Sequence, residues 1–212
     1  MIHEKKCALV CALDINEAHL LQNSYDAYVA VDRGFTHLQK IGISPTLCLG
    51  DFDSLGFIPS YDAIKTFPAD KDESDFALAL QWALDEGFTY IVAYGVLGGR
   101  FDHTYDAQQE MAHAAEQGAF IRAIGNNHQE IFLSGNTQLS CKLMFPGKED
   151  KIFSLFALTD EVSGVNISGA KWNLENATLR NTQALGLSNI ALDMQVDISI
   201  KSGIALVFAP IA

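Results

Sequence analysis

Two aspartates one residue apart, Asp51 and Asp53, stand in CLGDFDSLG (residues 48–56), directly after an apolar run and on a turn flanked by glycines. In an extended segment the side chains at i and i+2 project to one side, so the two carboxylates are expected to converge on one point. Like charges that close raise one another's pKa unless a metal ion or an arginine neutralises them. Carboxylates with few other protein ligands suit magnesium, which keeps several waters and is shared with substrate phosphates. The plainer reading is an acidic surface turn, since Asp and Gly are ordinary turn formers.

A second acidic group, Asp70, Asp72 and Asp75 with Lys71, lies in PADKDESDFALAL (68–80) just ahead of a helical pattern. Asp72 or Ser74 can cap that helix, and acids in its first turn complement its dipole. Capping accounts for one or two acids and leaves Asp75 and Lys71 as functional candidates. A third stretch, YGVLGGRFDHTYD (94–106), sets Gly95, Gly98 and Gly99 beside Arg100, Asp102 and His103. Glycines let the backbone approach a phosphate closely, and arginine offers its oxygens a two-point fork. The segment is neither a Walker A loop nor a dinucleotide fingerprint. Its glycines also suit a plain strand-to-helix turn with Asp102 or Thr104 as N-cap, and His103 suits a hydrogen-bonded structural role. Together the three loops hold the parts of a phosphoryl-type transfer site: carboxylates for magnesium, cations for phosphate and glycines for close approach.

The elements that must position these loops alternate. CALVCAL, AYVAV, TLCLG, YIVAYG and AFIRAIG read as strands, while LALQWALDEG (78–87) and TYDAQQEMAHAAEQG (104–118) read as helices that stop at Gly87 and Gly118. That alternation predicts a parallel sheet flanked by helices up to about residue 131. In such sheets ligands bind beyond the strand carboxyl ends. Asp32 and Arg33 follow AYVAV, Asp51 and Asp53 follow TLCLG, and Gly95 to Arg100 follow YIVAYG, so one edge of the sheet should gather all three loops. Beyond residue 131 only short apolar runs appear (IFLS, QLSCKLMF, KIFSLFAL, ATLR, MQVDISI, IALVFA), divided by turn residues, which predicts an antiparallel sandwich or barrel. The expected domains are therefore 1–131 and 132–212.

Composition narrows the partners. With 212 residues, 49% of them hydrophobic, and a net charge of -12, the chain can bury a core and is a poor match for nucleic acid or an anionic membrane. No apolar run approaches the roughly 18 residues of a membrane span and no signal-type cleavage site is apparent, so a cytoplasmic location is expected. Cys7, Cys11, Cys48 and Cys141 have neither zinc nor disulfide spacing and read as small buried apolar residues.

VDRGFTHLQKIGISPTLCLGDFDSL (31–55), DKDESDFALAL (70–80) and GVLGGRFDH (95–103), followed by GAKWNL (169–174), GLSN (186–189) and GIALV (203–207), together resemble the thiamin pyrophosphokinase family in its bacterial form. The resemblance implies a Rossmann-like α/β catalytic domain followed by an all-β sandwich, and a homodimer with its active sites at the subunit interface. It implies transfer of pyrophosphate from ATP to thiamine, giving thiamine diphosphate and AMP. Family roles fall on Asp51, Asp53 and Asp75 as magnesium ligands, which with Arg100 form the catalytic set. Phosphate or ATP contacts fall on Asp32, Arg33, Lys71, Gly98, Gly99, Arg100, Asp102 and His103, and thiamine contacts on Trp172, Ser188 and Asn189. Read as a residue type alone, a lone Trp in a β domain is more often core than ligand. The chain departs from the family at Arg33, where glycine is usual, at Ser74 for threonine, at Ala107 for asparagine and in the first loop, CALDINEA. Rival readings are a pyrophosphokinase for another heterocyclic alcohol and a non-catalytic ATP- or thiamine-binding regulator. An aspartyl-phosphate phosphatase also ends a strand in DxD, but Leu55 stands where that chemistry wants threonine.

Overall fold

The computed structural model describes residues 4–53, 55–68, 70, 72–137, 140–147 and 151–211. The chain divides into two compact units, Met1–Ala114 with Ala123–Asn126, and Ala115–Arg122 with Asn127–Ala212.

In the first unit five strands run parallel in the order β5-β1-β2-β3-β4: β1 (Lys6–Val10), β2 (Ala27–Val31), β3 (Leu47–Gly50), β4 (Ile64–Thr66) and β5 (Tyr90–Tyr94). Cys7 to Val10 are wholly buried, as expected of a strand with both faces covered. The strand order reverses at β1, which has β2 on one side and β5 on the other, so the crevice beyond the carboxyl ends of β1 and β5 is the natural ligand position. The helices are α1 (Glu17–Gln22), α2 (Gly34–Lys40), α3 (Asp75–Asp85) and α4 (Phe101–Glu116). α3 starts at Asp75 because Ser74, rather than Asp72, caps it: the Ser74 Oγ accepts the Ala77 amide at 3.2 Å. α1 and α2, at six and seven residues, are too short to show a helical period in the sequence.

A further strand, β6 (Phe120–Ile124), is divided between the units. The second unit is antiparallel: β7 (His128–Ser134), β14 (Ile204–Pro210), β9 (Ile152–Ala157) and β12 (Asn189–Ile190) pair in that order, and β8 (Cys141–Met144), β13 (Gln195–Ser199), β10 (Glu161–Ser168) and β11 (Leu174–Arg180) form a second sheet. Ile131, Phe153 and Val207 from the first set meet Leu143, Val165 and Ile198 from the second in one core. β10 has no counterpart among the strands expected from sequence. Gly164, at φ 65°, sits inside it where the register against β11 shifts, so a bulge hides the alternating pattern. All four cysteines are free and buried, and burial pushes the Cys7 thiol up to about 12. Among the described residues no helix is long and apolar enough to cross a membrane.

Candidate active site

Three carboxylates meet where the parallel strands end. Asp32 follows β2, Asp51 follows β3 and Asp75 opens α3, and one oxygen from each lies within 4.8 Å of the others. Asp32 is fixed by its backbone: its amide donates to the Leu49 carbonyl at 2.9 Å and its φ is 48°. Its Oδ1 accepts the Phe52 amide at 3.1 Å. It also fills the space left by Gly50, where a Cβ would come within 1.9 Å of that same oxygen. Burial first, and then the charge and hydrogen bond of Asp75, push the Asp32 carboxyl from 3.8 up to about 7, while the Phe52 amide pulls it down. The donor set fits a hard divalent cation, because three oxygens from separate elements converge and their repulsion is relieved only by a proton or a positive charge.

Asp53 stands apart from these three. It is exposed, while Asp51 is half-buried, and its amide donates to Asp51 Oδ1 at 3.0 Å. Convergence of the two carboxylates assumed an extended residue between them, but Phe52 is left-handed at φ 60°, and the acids that meet are Asp32, Asp51 and Asp75. Its ring is only 2% exposed. Lys71 lies outside the described residues.

The glycine loop after β5 faces the same cavity, whose volume is about 490 Å³ and whose walls include Asp32, Asp51, Asp75, Arg100 and His103. At Gly95, φ 69°, a Cβ would come within 2.7 Å of the Leu13 carbonyl, so the loops after β1 and β5 can lie this close only with glycine there. Gly98 and Gly99 are left-handed, and the Thr104 hydroxyl ties the loop to α4 by donating to the Gly98 carbonyl at 2.8 Å and accepting its amide at 3.1 Å. Arg100 makes a two-point ion pair with Asp102, Nε to Oδ1 at 3.1 Å and Nη2 to Oδ2 at 2.5 Å, with both groups exposed. The hydrogen bond from Arg100 holds the Asp102 carboxyl below its ordinary range. His103 donates its backbone amide to Asp102 Oδ1 at 3.1 Å. A second cavity, also about 490 Å³, shares Ala12, Leu13 and Gly98 with the first and is walled by Arg33, His37 and Gly99. His37 and Asn126, which also lines it, carried no sequence signal.

In the second unit Trp172 is 53% exposed and so is not a core residue. Asn189 is buried and pins the backbone of Trp172 itself: its Oδ1 accepts the Trp172 amide at 3.2 Å and its Nδ2 donates to the Trp172 carbonyl at 2.8 Å. Lys171 Nζ lies 4.5 Å from the centre of the Trp172 ring. Ser188, at φ 58°, is exposed and donates its amide to Ser154 Oγ at 3.0 Å.

A parallel α/β unit that gathers acids beside a glycine–arginine loop, joined to a unit of two antiparallel sheets, defines the class. The family model for "Thiamin pyrophosphokinase, catalytic domain" matches residues 18–122, and that for "Thiamin pyrophosphokinase, vitamin B1 binding domain" matches residues 140–205. The chain belongs to the thiamin pyrophosphokinase family. It is 26% identical over 191 residues to the thiamine pyrophosphokinase of Bacillus subtilis, covering 87% of each chain. It is also 26% identical over 226 residues to thiamin pyrophosphokinase 1 of Caenorhabditis elegans, covering 98% of this chain and 91% of that one. The crystal structure of thiamine pyrophosphokinase from Bacillus subtilis superposes with a TM-score of 0.82, covering 97% of this chain and 99% of that one; at 22% identity this likeness shows the fold.

Proposed function

We propose that the chain moves the terminal pyrophosphate of ATP onto the hydroxyethyl oxygen of thiamine, giving thiamine diphosphate and AMP. One geometric observation carries the reading: Asp32, Asp51 and Asp75 meet within 4.8 Å in a cavity that Arg100 also lines. Family membership supplies the substrates. Asp51 and Asp75, with Asp32 or Asp53, would hold magnesium. The ion would supply positive charge against the polyphosphate. In the transfer a bond forms between the thiamine oxygen and the β-phosphorus, the bond from that phosphorus to the oxygen of the leaving AMP breaks, and the hydroxyl proton is released to solvent. Arg100, exchanging Asp102 for phosphate, grips the oxygens in two-point fashion, with Lys71 and Arg33 as further cations and with Gly98, Gly99, Asp102 and His103 shaping the loop. Positioning and charge stabilisation do most of the work in such a transfer, so no strong base is needed.

Thiamine is assigned to the second unit, against the exposed indole of Trp172, with Ser188 beside it and Asn189 pinning the Trp172 backbone. A homodimer with the active sites at the subunit interface fits the exposed Leu185, Leu187, Leu192 and Met194, which share one segment whose backbone bonds to the Gly169–Lys171 stretch. A cytoplasmic location belongs to the same reading. The test is AMP release from ATP with and without thiamine. Thiamine-dependent AMP, matched one to one by thiamine diphosphate, supports the proposal. Release with a different heterocyclic alcohol only, or binding without release, would replace it by one of the two rivals.

A further inference from the structure

The residue between the two motif aspartates is built against its own backbone preference. Phe52 holds φ 60°, a region that non-glycine residues rarely adopt, and a chain making an ordinary acidic turn would place glycine, asparagine or aspartate there. Two contacts over-determine the strained conformation. The ring is buried, at 2% exposure, although both flanking aspartates face solvent or the cavity. The amide donates to Asp32 Oδ1, a partner 20 residues away that is itself lodged in the space Gly50 leaves by lacking a Cβ. The kink has a local result: Asp51 is half-buried within the acid cluster and Asp53 is turned outward, its amide closing onto Asp51 Oδ1.

We propose that Phe52 is a positioning residue for cation binding: its buried ring and the Asp32 contact hold the left-handed kink that presents Asp51 to Asp32 and Asp75. The inference rests on reading the acid cluster as a divalent-cation site. Persistent strain of this kind survives only where the surroundings enforce it, and its presence between two candidate ligands ties it to their geometry. Cation affinity therefore depends on the shape and branching of residue 52, whose buried side chain offers the cation no donor atom.

Four variants, read by manganese titration of the whole chain with electron paramagnetic resonance and by thermal melts, separate this role from simple packing. Phe52→Leu keeps an apolar plug without a branch at Cβ and should bind Mn2+ within about twofold of wild type. Phe52→Ala, which removes the plug, and Phe52→Gly, which also releases the strain, should each weaken Mn2+ about tenfold or more. Phe52→Val is decisive if the smaller variants do not fold. It keeps an apolar side chain in the core, but β-branching strongly disfavours positive φ, so it too should lose about tenfold in affinity. Wild-type affinity in Phe52→Val, or in an Ala variant with a lowered melting point, would overturn the positioning role while leaving the cation site standing. If the wild-type chain itself bound no Mn2+, the cation reading would fail and the inference with it.

Discussion

Asp32 is a clustered acid whose surroundings alter its chemistry. Its folded pKa, about 7, lies above the ordinary 3.8, so the folded state binds this proton more tightly than the unfolded state does. The associated stability is fully present below about pH 4 and is lost as pH rises through about 7. In cation-free buffer the melting temperature should therefore fall between about pH 4 and pH 7, and the fall should shrink in Asp32→Asn, which retains an oxygen for the Phe52 amide. Addition of magnesium at pH 8 should recover much of the loss in wild type. A wild-type profile that parallels the Asn variant would remove Asp32 as the cause. Arg100 makes a different residue-scale prediction. Its two-point grip on Asp102 is the geometry a phosphate would take over, and an ammonium cannot reproduce it. Arg100→Lys should lower kcat/KM for ATP tenfold or more with no shift in melting temperature, because the pair is exposed. Equal activity would reduce Arg100 to a surface cation.

At the scale of elements, the start of α3 links folding to the site. Ser74 satisfies the first-turn amide of Ala77, and Asp75, the next residue, delivers its carboxylate to the acid cluster. Ser74→Ala should cost about 1 kcal/mol of stability. It should also raise the magnesium concentration for half-maximal activity, since fraying the first turn moves Asp75. Ser74→Asp, which keeps a cap, should restore stability. A drop in stability with no change in the magnesium requirement would show that α3 begins at Asp75 without the cap controlling the site.

For the whole molecule, the proposed reading puts ATP on the first unit and thiamine on the second, so damage to one should leave the other's binding intact. Trp172 tests this. A buried Trp replaced by Ala typically costs about 3 to 5 kcal/mol, but an indole that is 53% exposed has far less packing to lose. Trp172→Ala should melt close to wild type and keep its ATP affinity, while the KM for thiamine rises several-fold through loss of stacking and cation–π attraction. Because Lys171 already lies over that ring, Lys171→Ala should leave thiamine binding equal or tighter. A large stability loss in Trp172→Ala with unchanged thiamine KM would sink the binding role.

By itself the sequence determined the order of an α/β half and a β half, and it brought the loops after β2, β3 and β5 to one sheet edge. Those features follow from local pattern: apolar runs of strand length, helical spacing that ends at Gly87 and Gly118, and the topology rule that puts ligands beyond strand carboxyl ends. β10 escaped because the bulge at Gly164 breaks the two-residue period on which strand recognition depends. Which acids meet was decided only in the tertiary structure. Local spacing paired Asp51 with Asp53, but the cluster forms from Asp32, Asp51 and Asp75. Phe52 between the two motif acids is left-handed, with its ring buried and its amide on a carboxylate 20 residues earlier in the chain, seated where Gly50 has no side chain. A residue's spacing to its neighbours does not encode that choice, because the contacts that enforce it arise only when β2 and β3 lie side by side.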